Sequence, residues 1–252
     1  MSAAVRTRTG WSLAHIVESP EYRIAVELDE LEAALRLHEA NYRDVMRTTA
    51  ELVANDDEEI DRLKKLWSWD NRRELERMWT EAGRLLHNYL ASAYTLLEHT
   101  RRHIERLYAD LPFKHEYGKE KENQLTNYPL VWFVTDLRVY NQHRRLPLVG
   151  GELSVDVDKL PESKVIRSRV CLDVKDLLTR GRKWSRPSRE YLASAGNWLP
   201  VDKLAEEYMR VISPFYSWLR SREREIHKNA LRRHKRHIAR VRAQRNGASG
   251  ES

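Results

Sequence analysis

The segment Leu130-Val-Trp-Phe-Val-Thr-Asp136-Leu137-Arg138-Val139-Tyr140-Asn141-Gln142-His143-Arg144-Arg145-Leu146-Pro147 places an arginine and a histidine five residues apart. An imidazole titrates near neutral pH and can pass protons, and a guanidinium grips phosphate in bidentate fashion. The spacing of Phe133, Leu137 and Tyr140, with Leu130 and Val134 beside them, predicts an amphipathic helix. At about 100° per residue, Arg138 borders that apolar face and His143 lies about 140° further round, near Asp136. Two such side chains cannot share one narrow stripe. They can flank a groove where another helix crosses, and a two-fold copy of the same helix would bring two Arg and two His together.

The elements that must position this helix are mostly helical. Residues 1 to about 20 lack periodicity and read as a flexible arm. From Glu21, apolar residues recur with helical spacing (Ile24, Leu28, Leu31, Leu35 and Leu37), continuing through Tyr42, Val45 and Met46. Asn55-Asp56-Asp57 breaks that pattern and can cap a short helix containing Ile60, Leu63 and Leu66. Asn71 to Glu74 has capping-box form and opens the longest helical pattern, from Leu75 to Tyr108. Such a rod would span about 50 Å and must bury its stripe against neighbours, as in an antiparallel bundle. Leu111-Pro112 ends it, a charged connection follows from Lys114 to Glu122, and Asn127-Tyr128-Pro129 starts the next helix.

After Pro147 the period changes from 3.6 to 2. Leu153, Val155 and Val157, and then Ile166, Val170, Leu172 and Val174, predict an antiparallel hairpin at about 152–175, with Gly150-Gly151 as a turn. An irregular stretch near 180–189 precedes a long helix from about Val201 that drifts into a basic tail. The expected fold is mainly α: a bundle over 21–219 with a small β-hairpin, followed by a basic helical tail over 220–252.

Of 252 residues, one is cysteine, Cys171, which excludes an intramolecular disulfide and any zinc site built on several cysteines. No apolar run approaches the roughly 20 residues a membrane-spanning helix needs, and no secretory leader is evident, so a cytoplasmic protein without membrane partners is expected. Residues 220–245 hold eleven Lys or Arg against two Glu, so the net charge of +7 is concentrated there and the rest is near neutral. Arg232, Arg233, Lys235 and Arg236, with Arg144 and Arg145 beside the motif, are the candidate contacts to a polyanion.

The run Asp136-Leu137-Arg138-x-Tyr140-x-x-His143-x-x-Leu146-Pro147 resembles the Arg-x4-His motif of the HEPN superfamily. The same spacing recurs at Arg222 with His227 and Arg232 with His237, without the apolar helical context. The resemblance implies a helical bundle that dimerises through its motif helices. It also implies a metal-independent ribonuclease, toxin- or phage-defence-like, that needs no cofactor and has RNA, a second copy and an antitoxin or regulatory protein as partners. His143 would then act as general base or acid on the ribose 2′-hydroxyl or the leaving oxygen, and Arg138 would stabilise the phosphorane charge. The family commonly has a polar residue directly after the Arg. Here that position is Val139, so either Asn141 takes over its orienting role or the site is inactive. The alternative is a non-catalytic nucleic-acid-binding or adaptor dimer.

Weaker signals have plainer readings. Asn88 to Ser92 could line the cleft of Arg138, although Ala91 and Ser92 more simply permit close helix packing. His99 and His103 have a metal-ligand spacing, but no acidic residue falls between them and Arg101 and Arg102 disfavour a cation, so a solvated face is expected and no metal. Trp67, Trp69 and Trp79 could stack bases, and core packing is the expected role.

Overall fold

The computed structural model describes residues 13–54, 56–143, 149–156, 165–179 and 184–248, with the backbone alone at 13, 53, 143, 149–156, 165–167 and 244–248. Among the described residues there are ten α-helices and four strands: α1 (Leu13–Val17), α2 (Pro20–Ala50), β1 (Val53–Ala54), α3 (Asp57–Leu66), α4 (Arg72–Tyr108), α5 (Pro112–Lys121), α6 (Pro129–His143), β2 (Val149–Asp156), β3 (Val165–Asp173), α7 (Val174–Thr179), α8 (Arg186–Ser194), β4 (Trp198–Pro200), α9 (Val201–Ile226) and α10 (Lys228–Ala248). Contacts divide the chain into two compact units, residues 34–216 and residues 1–33 with 217–252.

The larger unit is organised on α4. Its apolar stripe (Leu86, Tyr89, Leu90, Ala93, Leu96) is buried, as are Phe133, Leu137 and Tyr140 of α6 and Leu204, Tyr208, Ile212 and Phe215 of α9. Tyr89 Oη donates to the Ala205 carbonyl at 3.0 Å, so even the polar tip of that large side chain is satisfied in the core. Ring contacts fasten α6 to the segment around α8: Phe133 stacks on Tyr191 at 5.0 Å and Tyr140 on Trp184 at 5.6 Å. The apolar face read from the α6 sequence is therefore the buried one.

Several boundaries follow their local signals. Asp56 caps α3, its carboxylate accepting from Glu59 N at 2.8 Å. Pro112 and Pro129 begin α5 and α6, where a missing N–H is harmless. Other expectations are corrected. Residues 13–17 of the predicted arm form α1, which packs against α10 and buries Ile16, while residues 1–12 lie outside the described residues. The capping box at Asn71 is not formed: α4 does start at Arg72, but the Asn71 amide donates to the Lys65 carbonyl and Ser68 Oγ instead. The charged connection 114–122 is helical, because α5 buries Phe113 against Tyr108 at 4.6 Å. It runs into a π-helical turn, Glu122–Thr126, closed by Asn127 N donating to the Glu122 carbonyl at 3.3 Å.

The predicted hairpin is present, with β2 and β3 antiparallel from Val149 opposite Leu172 to Asp156 opposite Val165. Gly150 and Gly151 sit inside β2, opposite Cys171 and Val170, rather than in a turn, so pairing along all of β3 overrides the local glycine signal. β3 is the central strand: β1 pairs with one end of its other edge and β4 with the opposite end, also antiparallel. Gly196 (φ 76°) makes the bend from α8 into β4 in the left-handed region that glycine tolerates. No helix of the described residues is long and apolar enough to cross a membrane.

In the smaller unit, Arg220 pairs with Glu32 (3.2 Å) and Arg233 with Glu21 (2.7 Å), and Tyr22 lies 5.9 Å from the His234 ring. The basic tail is thus helical in the described residues.

Candidate active site on helices α4 and α6

The motif of α6 divides by helical geometry into positions that face α8 or the core and positions that face α4. Asp136 faces α8: its Oδ2 accepts from Ser185 N (2.9 Å) and Ser188 Oγ (2.8 Å), placing a carboxylate at the N-terminus of α8, where free N–H groups favour negative charge. Leu137 is fully buried. Arg138 turns instead toward α4, and its guanidinium carbon lies 4.0 Å from the Tyr94 ring centroid. Asp136 and Glu98, the carboxylates that would neutralise Arg138 in a purely structural role, are bonded elsewhere: Glu98 accepts from Arg101 at 3.0 Å. Among the described residues, Arg138 Nε is buried with no hydrogen-bond partner. A guanidinium stays charged, and stacking on a π face leaves its N–H edge free to donate.

Asn141, one turn on from Arg138, is buried and also meets α4, with Nδ2 3.2 Å from His87 Nδ1. Since the amide N–H can only donate, His87 Nδ1 accepts and a neutral His87 carries its proton on Nε2. Asn141 Oδ1 has no partner among the described residues. His87 was not singled out from the sequence. Its position seven residues before Tyr94, two turns away on one face of α4, is the signal that could have found it. The antiparallel pairing of His87 with Asn141 and Tyr94 with Arg138 makes a half-buried polar seam between the two helices.

His143 is the last described residue of α6. Its side chain, and Arg144 and Arg145, lie outside the described residues. The backbone alone puts position 143 about 7.5 Å along the axis from position 138. On α10, Arg232, Lys235 and Arg236 are exposed, whereas Arg233 is engaged by Glu21, whose carboxyl pKa is lowered chiefly by that hydrogen bond.

The weaker signals also find places. Ser92 is buried, with Oγ 3.0 Å from His38 Nδ1 and donating to the Tyr89 carbonyl, so this stretch serves the core rather than the Arg138 seam. His103, expected on a solvated face, is buried against Tyr108 at 5.9 Å, while His99 is exposed. Among the described residues no group of three His, Cys, Asp or Glu side chains could hold a metal ion. Trp67 and Trp79 pack edge to face at 6.1 Å, with Trp67 Nε1 donating to Ser168 Oγ at 3.0 Å. Trp69, expected in the core, is 80% exposed with Arg72 over its ring. Cys171 is buried on β3.

Comparison with protein-family models, curated proteins and solved structures gave no match.

Proposed function

We propose that the chain is a metal-independent endoribonuclease that acts as a homodimer of HEPN type, with a toxin- or defence-like role. The observation that carries this reading is the condition of Arg138. It is a half-buried guanidinium, held on the Tyr94 ring, with no carboxylate partner among the described residues. A cation kept partly desolvated without a counter-ion is costly unless an anion arrives, and a phosphate fits its fork. His143, on the same helix, supplies the proton chemistry.

In the reaction, imidazole takes the proton of the ribose 2′-hydroxyl as the oxygen attacks the adjacent phosphorus. The pentacoordinate phosphate gains a negative charge that Arg138 meets, and the 5′-oxygen leaves with a proton from a second imidazolium. A two-fold dimer supplies that second histidine, and no water or metal enters the step. The products are a 2′,3′-cyclic phosphate and a 5′-hydroxyl. Cleavage of single-stranded RNA in EDTA, with cyclic-phosphate ends seen by mass spectrometry and lost in His143→Ala, is the expected result. Folded, dimeric protein that leaves RNA intact would refute the reading.

A non-catalytic nucleic-acid-binding dimer is the second reading, favoured by the exposed Lys228, Arg232, Lys235 and Arg236 of α10. Under it, charge reversal at those four positions abolishes salt-dependent RNA binding, while His143→Ala changes nothing.

A further inference from the structure

The Tyr94 ring that Arg138 covers also borders a cavity of about 390 Å³ between α4, α5, α6 and α9. That size falls in the range of small-molecule sites. Five of the residues lining it are aromatic, Tyr94, Tyr117 and Trp132 among them. Tyr117 is braced edge to face by Phe215 at 5.8 Å, and Trp132 Nε1 is tied to the Thr126 carbonyl at 2.8 Å, so these rings are held in place before anything binds. Flat, fixed aromatic walls suit a planar ring.

Two of the hydroxyl-bearing lining residues, Thr100 and Tyr216, are buried. Thr100 Oγ1 lies 2.7 Å from the Leu96 carbonyl, to which it must donate, and 3.1 Å from Tyr216 Oη. Its one proton being used, Thr100 can only accept from Tyr216, so both hydroxyl protons are spent and Tyr216 keeps lone pairs alone. Burial pushes the Tyr216 phenol well above its usual pKa, so it stays neutral. The hydroxyl pair therefore accepts and cannot donate. Among the described lining residues, Arg101 and Lys121 outnumber the one carboxylate, Glu98, which Arg101 already holds at 3.0 Å. A net positive rim favours an anionic substituent on the ring.

We propose that this cavity binds an amino-bearing nucleobase carrying a phosphate, with the ring against the aromatic walls, the exocyclic amine donating to Tyr216 and the phosphate at Lys121. The site lies within one copy of residues 34–216 and is independent of the cleavage reading: a chain that cuts nothing can still hold such a ligand. A free mononucleotide and a base of an RNA strand share this chemistry.

The test is calorimetric titration of the full chain with AMP, with adenosine, and with purine riboside 5′-monophosphate, which has the same ring without the amine. AMP is expected to bind saturably and about fivefold more tightly than the amine-free analogue, the value of one neutral hydrogen bond. Tyr216→Phe removes the acceptor and erases that preference. Thr100→Val, should the first variant fail to fold, frees the Tyr216 proton to donate to a ring nitrogen of either monophosphate and so narrows the preference. Lys121→Glu, on an exposed helix face, weakens AMP at least threefold and leaves adenosine unchanged. His143→Ala retains AMP binding, which separates this site from cleavage. A hexa-adenylate binding more tightly than AMP, with the same response to Tyr216→Phe, identifies RNA as the source of the base; the reverse order identifies the free nucleotide. Absence of saturable binding by both AMP and hexa-adenylate, equal affinity for the two monophosphates, or a preference that survives both hydroxyl variants overturns the proposal.

Discussion

Helix α4 carries two histidine-containing seams built in opposite ways. On one, His38 of α2 is completely buried, with its ring 4.8 Å from Tyr89 and 5.8 Å from Tyr208 and Nδ1 beside Ser92 Oγ. Burial lowers its pKa to about 4, so the imidazole is neutral at physiological pH and barred from proton transfer there. On the other, His87, Asn141 and Arg138 meet between α4 and α6, where His87 and Arg138 are only half-buried. The residue types are similar, and access is what separates them. A sealed histidine is a packing group. A half-open seam whose guanidinium has no carboxylate partner among the described residues is a place where an anion can be met.

The largest expected effect tests the open seam. Arg138→Ala should lower RNA cleavage by about 100- to 1,000-fold, the usual loss when one donor to a developing charge is removed. The thermal midpoint should stay within a few degrees, because no ion pair among the described residues is lost. Arg138→Lys should rescue little, since an ammonium lacks the planar fork. Comparable activity in both variants would leave the two seams without a functional distinction.

The sealed seam is tested by pH. The fold accepts only neutral His38, and its pKa falls from 6.5 unfolded to about 4 folded. Its stabilising contribution is complete above pH 6.5 and is lost as pH falls from 6.5 toward 4, because the unfolded chain binds the proton first. The loss amounts to about 3 kcal/mol at most. Urea denaturation at stepped pH should show that slope, and His38→Phe should flatten it; an unchanged slope would mean His38 is not the group responsible. Next in size, Asp136→Ala removes two hydrogen bonds from the N-terminus of α8 and should cost about 2 kcal/mol. Cleavage per folded molecule should hold.

Periodicity made the helices legible. The stripes of α2, α4 and α6, the proline start of α6 and the two alternating strands are each written in a local pattern, although Leu37 of the α2 stripe is exposed and Cys171, on the polar side of the β3 alternation, is buried. Position on the chemical helix was partly legible as well: about 100° per residue separates Arg138 from the apolar face, and Arg138 does turn away from it onto α4. What the pattern could not carry is partnership. That Asp136 serves α8, 50 residues on, that Trp69 is exposed while Trp67 is packed, and that His103 is buried all depend on which elements arrive opposite. A glycine pair and an Asn-x-x-Glu box are likewise weak local preferences, and pairing along β3 and the carbonyl of Lys65 outweigh them. His87 escaped notice because its only distinction is the residue it faces.

The smallest expected effect on stability falls on that pair. Asn141 Nδ2 and His87 Nδ1 make one hydrogen bond, contributing about 1 kcal/mol, while Asn141 Oδ1 is buried without a partner among the described residues, costing a similar amount or more. Asn141→Ala removes the benefit and the cost together, so its net effect on folding should lie within about 1 kcal/mol, a midpoint shift of roughly 2–4 °C in a unit of this size. A buried amide that contributes so little to the fold is better explained by what it orients: it holds the His87 ring and keeps the seam beside Arg138 polar. Cleavage should therefore fall by about tenfold in Asn141→Ala, the size of one lost positioning hydrogen bond. If scanning calorimetry instead shows a large drop in stability while cleavage per folded molecule is unchanged, Asn141 belongs with His38 among the packing groups, and the open seam narrows to Arg138 alone.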